Sequence, residues 1–82
     1  MTPVVRVYSR PGCHLCDEAL EEIRALPTSG FELEVVDIEQ DDELLARFLE
    51  RIPVIELDGR ELYDFHVNAA DLARRIEASA GR

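Results

Sequence analysis

Eighty-two residues carry nine arginines, no lysine and eighteen carboxylates, a formal charge of −9 at neutral pH. Phosphate backbones and anionic lipid are repelled by such a chain. No apolar run approaches the ~18 residues of a membrane span, and the start, MTPVVRVYSR, lacks the basic and apolar regions of a secretory leader. The expectation is a cytoplasmic protein, monomeric, with no nucleic-acid and no membrane partner.

No repeat, low-complexity tract or Pro/Gly/Ser-rich linker interrupts the sequence, so one domain over residues 1–82 is expected. At this size folding buries only roughly 60 to 65% of the unfolded surface, and stability should be modest. VVRVYS (Val4 to Ser9) is short, β-branched and apolar, the mark of a strand buried on both faces, and Pro11-Gly12 ends it. From Cys13 onward Cys16, Ala19, Leu20, Ile23 and Leu26 recur at helical spacing, with Asp17, Glu18, Glu21 and Glu22 on other faces. That pattern predicts an amphipathic helix of about three turns. FELEVVDI alternates Phe31, Leu33 and Val35 with Glu32 and Glu34, then becomes more apolar, as a strand entering a core does. QDDELLARFLER (40–51) reads as a second helix, with acids in its first turn and arginines toward its end to suit the macrodipole. The acidic run from Glu32 to Glu43 is read as a solvated face, and a basic partner is the natural one if it contacts anything.

PVIEL and ELYDF are two strand-like runs joined by Asp58-Gly59-Arg60, and Asp-Gly is among the strongest short hairpin signals. Asn68 then offers a helix N-cap with Asp71 three residues on, Leu72 and Ile76 give an apolar stripe, and Gly81 is expected to end the helix. The order is β-α-β-α-β-β-α: an α/β fold with one parallel crossover unit, an antiparallel hairpin and a closing helix.

Both cysteines lie in SRPGCHLCDEAL, three positions apart. A disulfide stabilises more as it encloses a longer loop, and Cys13 to Cys16 encloses almost nothing, so a structural staple is a poor reading. In a reducing cytoplasm such a pair binds metal or cycles. The first strand delivers Cys13 to a helix start, where free N–H groups and the positive end of the dipole favour the thiolate, which is the nucleophile. Cys13 is therefore the expected attacking sulfur. Cys16, about one turn further in and on the apolar face, is the expected resolving sulfur that releases a partner from a mixed disulfide. Gly12 removes a side chain where a partner would approach. His14, when protonated, could lower the Cys13 pKa, or could simply face solvent. Asp17 and Glu18 act in the opposite direction, so a moderate depression is expected. Arg51-Ile52-Pro53 leads directly into the third strand; a trans proline at a strand start and a cis turn that offers backbone to a ligand are both compatible with the pattern.

The order of elements, YSRPGCHLC after the first strand and RIPVIELDGREL about forty residues later resemble the glutaredoxins, members of the thioredoxin fold, over nearly all of the chain. Small bacterial glutaredoxin-like proteins are the most similar in kind. The resemblance implies a thioredoxin-like four-stranded mixed sheet with three helices. It implies Cys13 and Cys16 as the redox pair, Ile52-Pro53 as the family's Val-(cis)Pro, and Asp58-Gly59 as its hairpin turn. Arg10, Gly12, His14, Arg51 and Ile52 would then meet substrate, with Pro53 beside the cysteines. The departures are specific. His14-Leu15 replaces Pro-Tyr, Arg51 replaces Thr, and DFHVNAAD lacks the Gly-Gly that holds one end of glutathione, which argues against glutathione as partner unless Arg10 or Arg51 takes the carboxylates.

The implied activity is thiol–disulfide exchange with protein disulfides, without a cofactor, using a low-molecular-weight thiol or a reductase as electron donor. Two other classes compete. A closed zinc site needs four ligands, and Cys13, His14, Cys16 and His66 are the only Cys and His present, with Cys13 and His14 adjacent; no protein metal site is therefore expected, although a metal or iron–sulfur carrier stays open. A non-catalytic binding module with vestigial cysteines is the third class. His66 is read as a strand-end residue.

Overall fold

The computed structural model describes residues 2–28 and 30–80. Strand β1 (Val4–Ser9) leads into helix α1 (His14–Arg24), strand β2 (Glu32–Asp37), a single 3-10 turn (Ile38–Gln40), helix α2 (Asp42–Phe48), strands β3 (Val54–Leu57) and β4 (Arg60–Asp64), and helix α3 (Ala69–Ala80). The strands form one mixed sheet in the order β2-β1-β3-β4, with β1 parallel to β2 and antiparallel to β3. This is the thioredoxin-like α/β fold, with three helices and a four-stranded mixed sheet. No helix among the described residues is long and apolar enough to cross a membrane.

The alternation of β1 distributes the core. Val5 and Val7 point to one face, where they pack with Ala19 and Ile23 of α1 and Leu72 and Ile76 of α3. Tyr8 points to the other, with Val54, Ile38 and Phe48, and its ring stacks on that of Phe48 at 4.4 Å between centroids. Burying apolar side chains on both faces is what keeps the central strand free of charge except at Arg6.

Two expectations are corrected by the structure. β2 is an edge strand, so Val35, expected to enter the core, is 48% exposed. The second helix is shorter than residues 40–51. Asp41 caps it, its carboxylate accepting from the Glu43 and Leu44 amides at 2.8 and 3.3 Å. It ends at Phe48, and the chain leaves through a turn in which the Arg51 amide donates to the Phe48 carbonyl at 2.8 Å; Ile52, which precedes the proline, is kept out of helix in any case.

The Asp58-Gly59 turn has positive φ at both residues, 51° and 85°, the signature that sends two strands back with matching twist. Arg60 is thereby the first residue of β4, paired with Leu57. Asp58 also anchors the turn, accepting from the Val4 amide and the Ser79 hydroxyl, both at 2.9 Å. Asn68 caps α3 as expected, its side-chain oxygen accepting from the Asp71 amide at 3.0 Å. Gly81, expected to end that helix, lies outside the described residues.

Candidate active site

Antiparallel pairing of Tyr8 with Val54 and of Val54 with Asp64 brings three strand termini to one end of the sheet: the end of β1, the start of β3 and the end of β4. The Arg10–Cys13 turn, the Ile52-Pro53 turn and Phe65 therefore gather there. Pro11-Gly12 reverses the chain, with Gly12 at φ 81° and the Cys13 amide donating to the Arg10 carbonyl at 3.3 Å. Cys13 is the N-cap of α1, with extended backbone, and its sulfur accepts from the Cys16 amide at 3.2 Å. A sulfur occupies the position where Ser or Asp usually caps, aimed at the unpaired N–H groups of the first turn. Cys13 and Cys16 are joined as a disulfide with Cα atoms 5.2 Å apart. Cys16 is 1% exposed, whereas Cys13 is half-buried and reaches solvent.

Ile52-Pro53 is cis, and Pro53 is fully buried. The Phe65 amide donates to the Pro53 carbonyl at 2.9 Å and to the Arg51 carbonyl at 3.3 Å. Among the described residues, neither the Ile52 amide nor its carbonyl has a backbone partner. Ile52 thus keeps its hydrogen-bonding groups in reserve between two tied neighbours.

A match to the family model "Glutaredoxin-like domain (DUF836)" spans residues 4–77, from the first strand into the last helix. The chain belongs to this glutaredoxin-like family. An uncharacterized protein of Mycobacterium tuberculosis is 34% identical to this glutaredoxin-like chain, over 88% of it and 84% of the relative. A glutaredoxin-like protein of Dictyostelium discoideum is 28% identical over 89% and 74%. Among solved structures, a protein of Nitrosomonas europaea superposes with a TM-score of 0.78 at 31% identity, covering 92% of each chain. A Fasciola hepatica thioredoxin shares the fold, with a TM-score of 0.63 at 23% identity over 94% and 80%.

Within the glutaredoxin-like chain, the residues nominated from sequence divide into two groups. Gly12, Cys13, Ile52 and Pro53 belong to turns at the one end of the sheet, with Cys16 in the first turn of α1. The two arginines are engaged by the protein's own carboxylates. Arg10 meets Glu39 at 2.7 Å. Arg51 meets Glu61 at 2.6 Å and Asp64 at 3.4 Å and lies over the Phe48 ring at 5.5 Å; its hydrogen bond to Glu61 is the largest cause that raises its already high pKa. A ligand carboxylate would have to displace these partners. His14 faces solvent, its side chain 87% exposed and 3.8 Å from Glu18. His66 follows β4 and is exposed. Among the described residues, no three His, Cys, Asp or Glu side chains come together as metal ligands.

Phe65 was not singled out from sequence, where it reads only as the last residue of a strand. It lies just past β4 with φ 65°, a left-handed conformation unusual for a bulky side chain, and it is 45% exposed. With Tyr63 and Val67 each two positions away, nothing in the sequence marks it out from an ordinary strand residue. Leu15, between the cysteines, is also exposed, and both line a cleft of ≈ 420 Å³.

Proposed function

We propose that the protein is a thiol–disulfide oxidoreductase of the cytoplasm that acts as a monomer on protein disulfides, with Cys13 as nucleophile and Cys16 as resolving thiol. The observation that carries this reading is the Cys13 sulfur at the helix cap, accepting the Cys16 amide at 3.2 Å while Cys16 lies buried behind it. In the reduced protein the same amide and the helix dipole favour a Cys13 thiolate. That thiolate attacks one sulfur of a partner disulfide, the partner S–S bond breaks, and the departing sulfur leaves as a thiolate that takes a proton from water. Cys16, on losing its proton, attacks Cys13, forms the intramolecular disulfide and releases the second partner thiolate. Two electrons pass to the partner. A low-molecular-weight thiol or a reductase returns them, attacking the accessible Cys13 sulfur so that Cys16 leaves first.

Protein substrates are favoured over glutathione because Arg10 and Arg51 are already paired, and because Val67 and Asn68 stand in the segment where the Gly-Gly that closes on glutathione would lie. An extended partner segment needs only backbone hydrogen bonds, which the Ile52 amide and carbonyl can supply. The test compares rates on a glutathionylated peptide and on a protein disulfide, for the wild type and Cys16→Ser. The proposal expects faster turnover of the protein disulfide and its loss in Cys16→Ser. Fast deglutathionylation that survives Cys16→Ser would instead show a monothiol enzyme that grips glutathione.

A further inference from the structure

Among the described residues, Leu15 and Phe65 are two of the four large apolar side chains left exposed, and they come from elements far apart in sequence yet line the same cleft beside the cysteine turn. Phe65 is held there. Its amide is fixed by the Pro53 and Arg51 carbonyls, and its left-handed backbone turns an aromatic ring outward where a strand continuation would not. Exposing an aromatic in a costly conformation is a feature of surfaces that receive a partner.

The rim of this cleft has one sign of permanent charge. Glu18, Glu21 and Glu22 project from α1 along it, all exposed, and neither Glu21 nor Glu22 has an ion-pair partner among the described residues. Among the described residues no arginine lines the cleft, although the chain has nine. Two exposed apolar side chains, one of them (Leu15) between the two cysteines in sequence, stand beside an acidic wall in which Glu21 and Glu22 are unpaired, and together they complement a segment that carries an apolar side chain and cations.

We infer that this cleft receives an extended segment of the partner protein in which the reactive cysteine is accompanied by an apolar side chain and by arginine or lysine. The inference rests on the thiol–disulfide reading and specifies its substrate. The apolar side chain packs between Leu15 and Phe65, and the cations reach Glu18, Glu21 and Glu22. Attraction of this kind acts mainly on association and fades as salt shortens its range.

Binding can be measured without chemistry, using the oxidised wild-type protein and fluorescent peptides in which serine replaces the cysteine. One peptide carries a leucine and two arginines around that serine; its counterpart has glutamates for the arginines. At low salt the arginine peptide should bind about tenfold tighter or more, as a few partly exposed charge pairs acting together allow, and the preference should shrink at high salt. Glu21→Gln/Glu22→Gln should reduce the preference, and Leu15→Ser or Phe65→Asn should weaken both peptides, with asparagine chosen because it tolerates left-handed backbone. Equal binding of the two peptides, a preference unchanged in Glu21→Gln/Glu22→Gln, or affinities undiminished in Leu15→Ser and Phe65→Asn overturns the inference. Reduction of the cysteine-containing peptide disulfides by the reduced protein is the second readout. Selective binding without turnover would leave the cleft assignment standing and remove the oxidoreductase reading. Turnover with no selectivity in either assay would do the reverse.

Discussion

The Cys16 amide donates to the Cys13 sulfur at 3.2 Å, so one cysteine caps the helix that carries the other. The cap makes the two sulfurs unequal. Cys13 has access to solvent and a hydrogen bond that stabilises negative charge, and Cys16 has neither. In the reduced protein at neutral pH, alkylation should therefore label Cys13 faster than Cys16 by about tenfold or more, since reactivity follows thiolate fraction and exposure. Mass spectrometry of a quenched time course reads the order directly. Cys16 reacting first would reverse the assigned roles.

On the other face of the sheet, Phe48 ties α2 to the strand that leads into the cysteine turn. It is 1% exposed, stacks on Tyr8 and lies under Arg47 and Arg51 at 4.8 and 5.5 Å. Phe48→Ala should cost about 3–5 kcal/mol, a large part of the roughly 4–12 kcal/mol available to a chain of this length. Urea unfolding measures the loss. A change below about 1 kcal/mol, the average for any substitution, would show that this face contributes little.

A second lock joins β4 to α3, where the Tyr63 hydroxyl donates to Asp71 and Arg75 meets the same carboxylate at 2.8 Å. The Tyr63 hydrogen bond first, then Arg75, lower the Asp71 pKa from 3.8 to about 2. The folded carboxyl holds its proton less tightly than the unfolded one, so this stabilisation is complete above pH 3.8 and is lost as pH falls toward about 2. Tyr63 shifts the other way: burial first, then Asp71, raise it from 10.0 to about 12, so its contribution is complete below pH 10.0 and is lost as pH rises through about 12. Urea midpoints followed across pH should show a flatter acid limb in Asp71→Asn and a flatter alkaline limb in Tyr63→Phe. Limbs parallel to the wild type would mean that the pair does not couple protonation to folding.

The parts of this molecule that were legible in the sequence are those set by neighbours in the chain. Asp58-Gly59 dictates its own turn, Asn68 caps the residues that follow it, and Cys13 stands where a strand meets a helix whose apolar spacing is plain. Residues whose fate depends on distant pairing were not legible. Val35 has the alternation of a core strand, but only the sheet order, with β2 at the edge, decides that it faces solvent. Arg51 looked available for a ligand until β4 brought Glu61 and Asp64 to it.

Phe65 is the extreme case, because a left-handed backbone cannot be read from an aromatic residue. It can be tested by a pair of truncations that both remove the ring and differ only in backbone freedom. Ordinarily alanine is the more stable of the two replacements, since glycine gives the unfolded chain about 0.5–1 kcal/mol of extra entropy to lose. At φ 65° alanine instead pays about 1–2 kcal/mol for the close approach of its Cβ to the following carbonyl oxygen, and glycine escapes this. Phe65→Gly should thus be more stable than Phe65→Ala by about 0.5–1 kcal/mol, the difference of those two terms. Denaturant unfolding of the two variants gives the sign. Both should reduce protein disulfides more slowly than the wild type and at similar rates, because the same ring is missing from the same cleft. If alanine proves the more stable, the left-handed conformation is not maintained in solution, and the outward ring loses its structural basis.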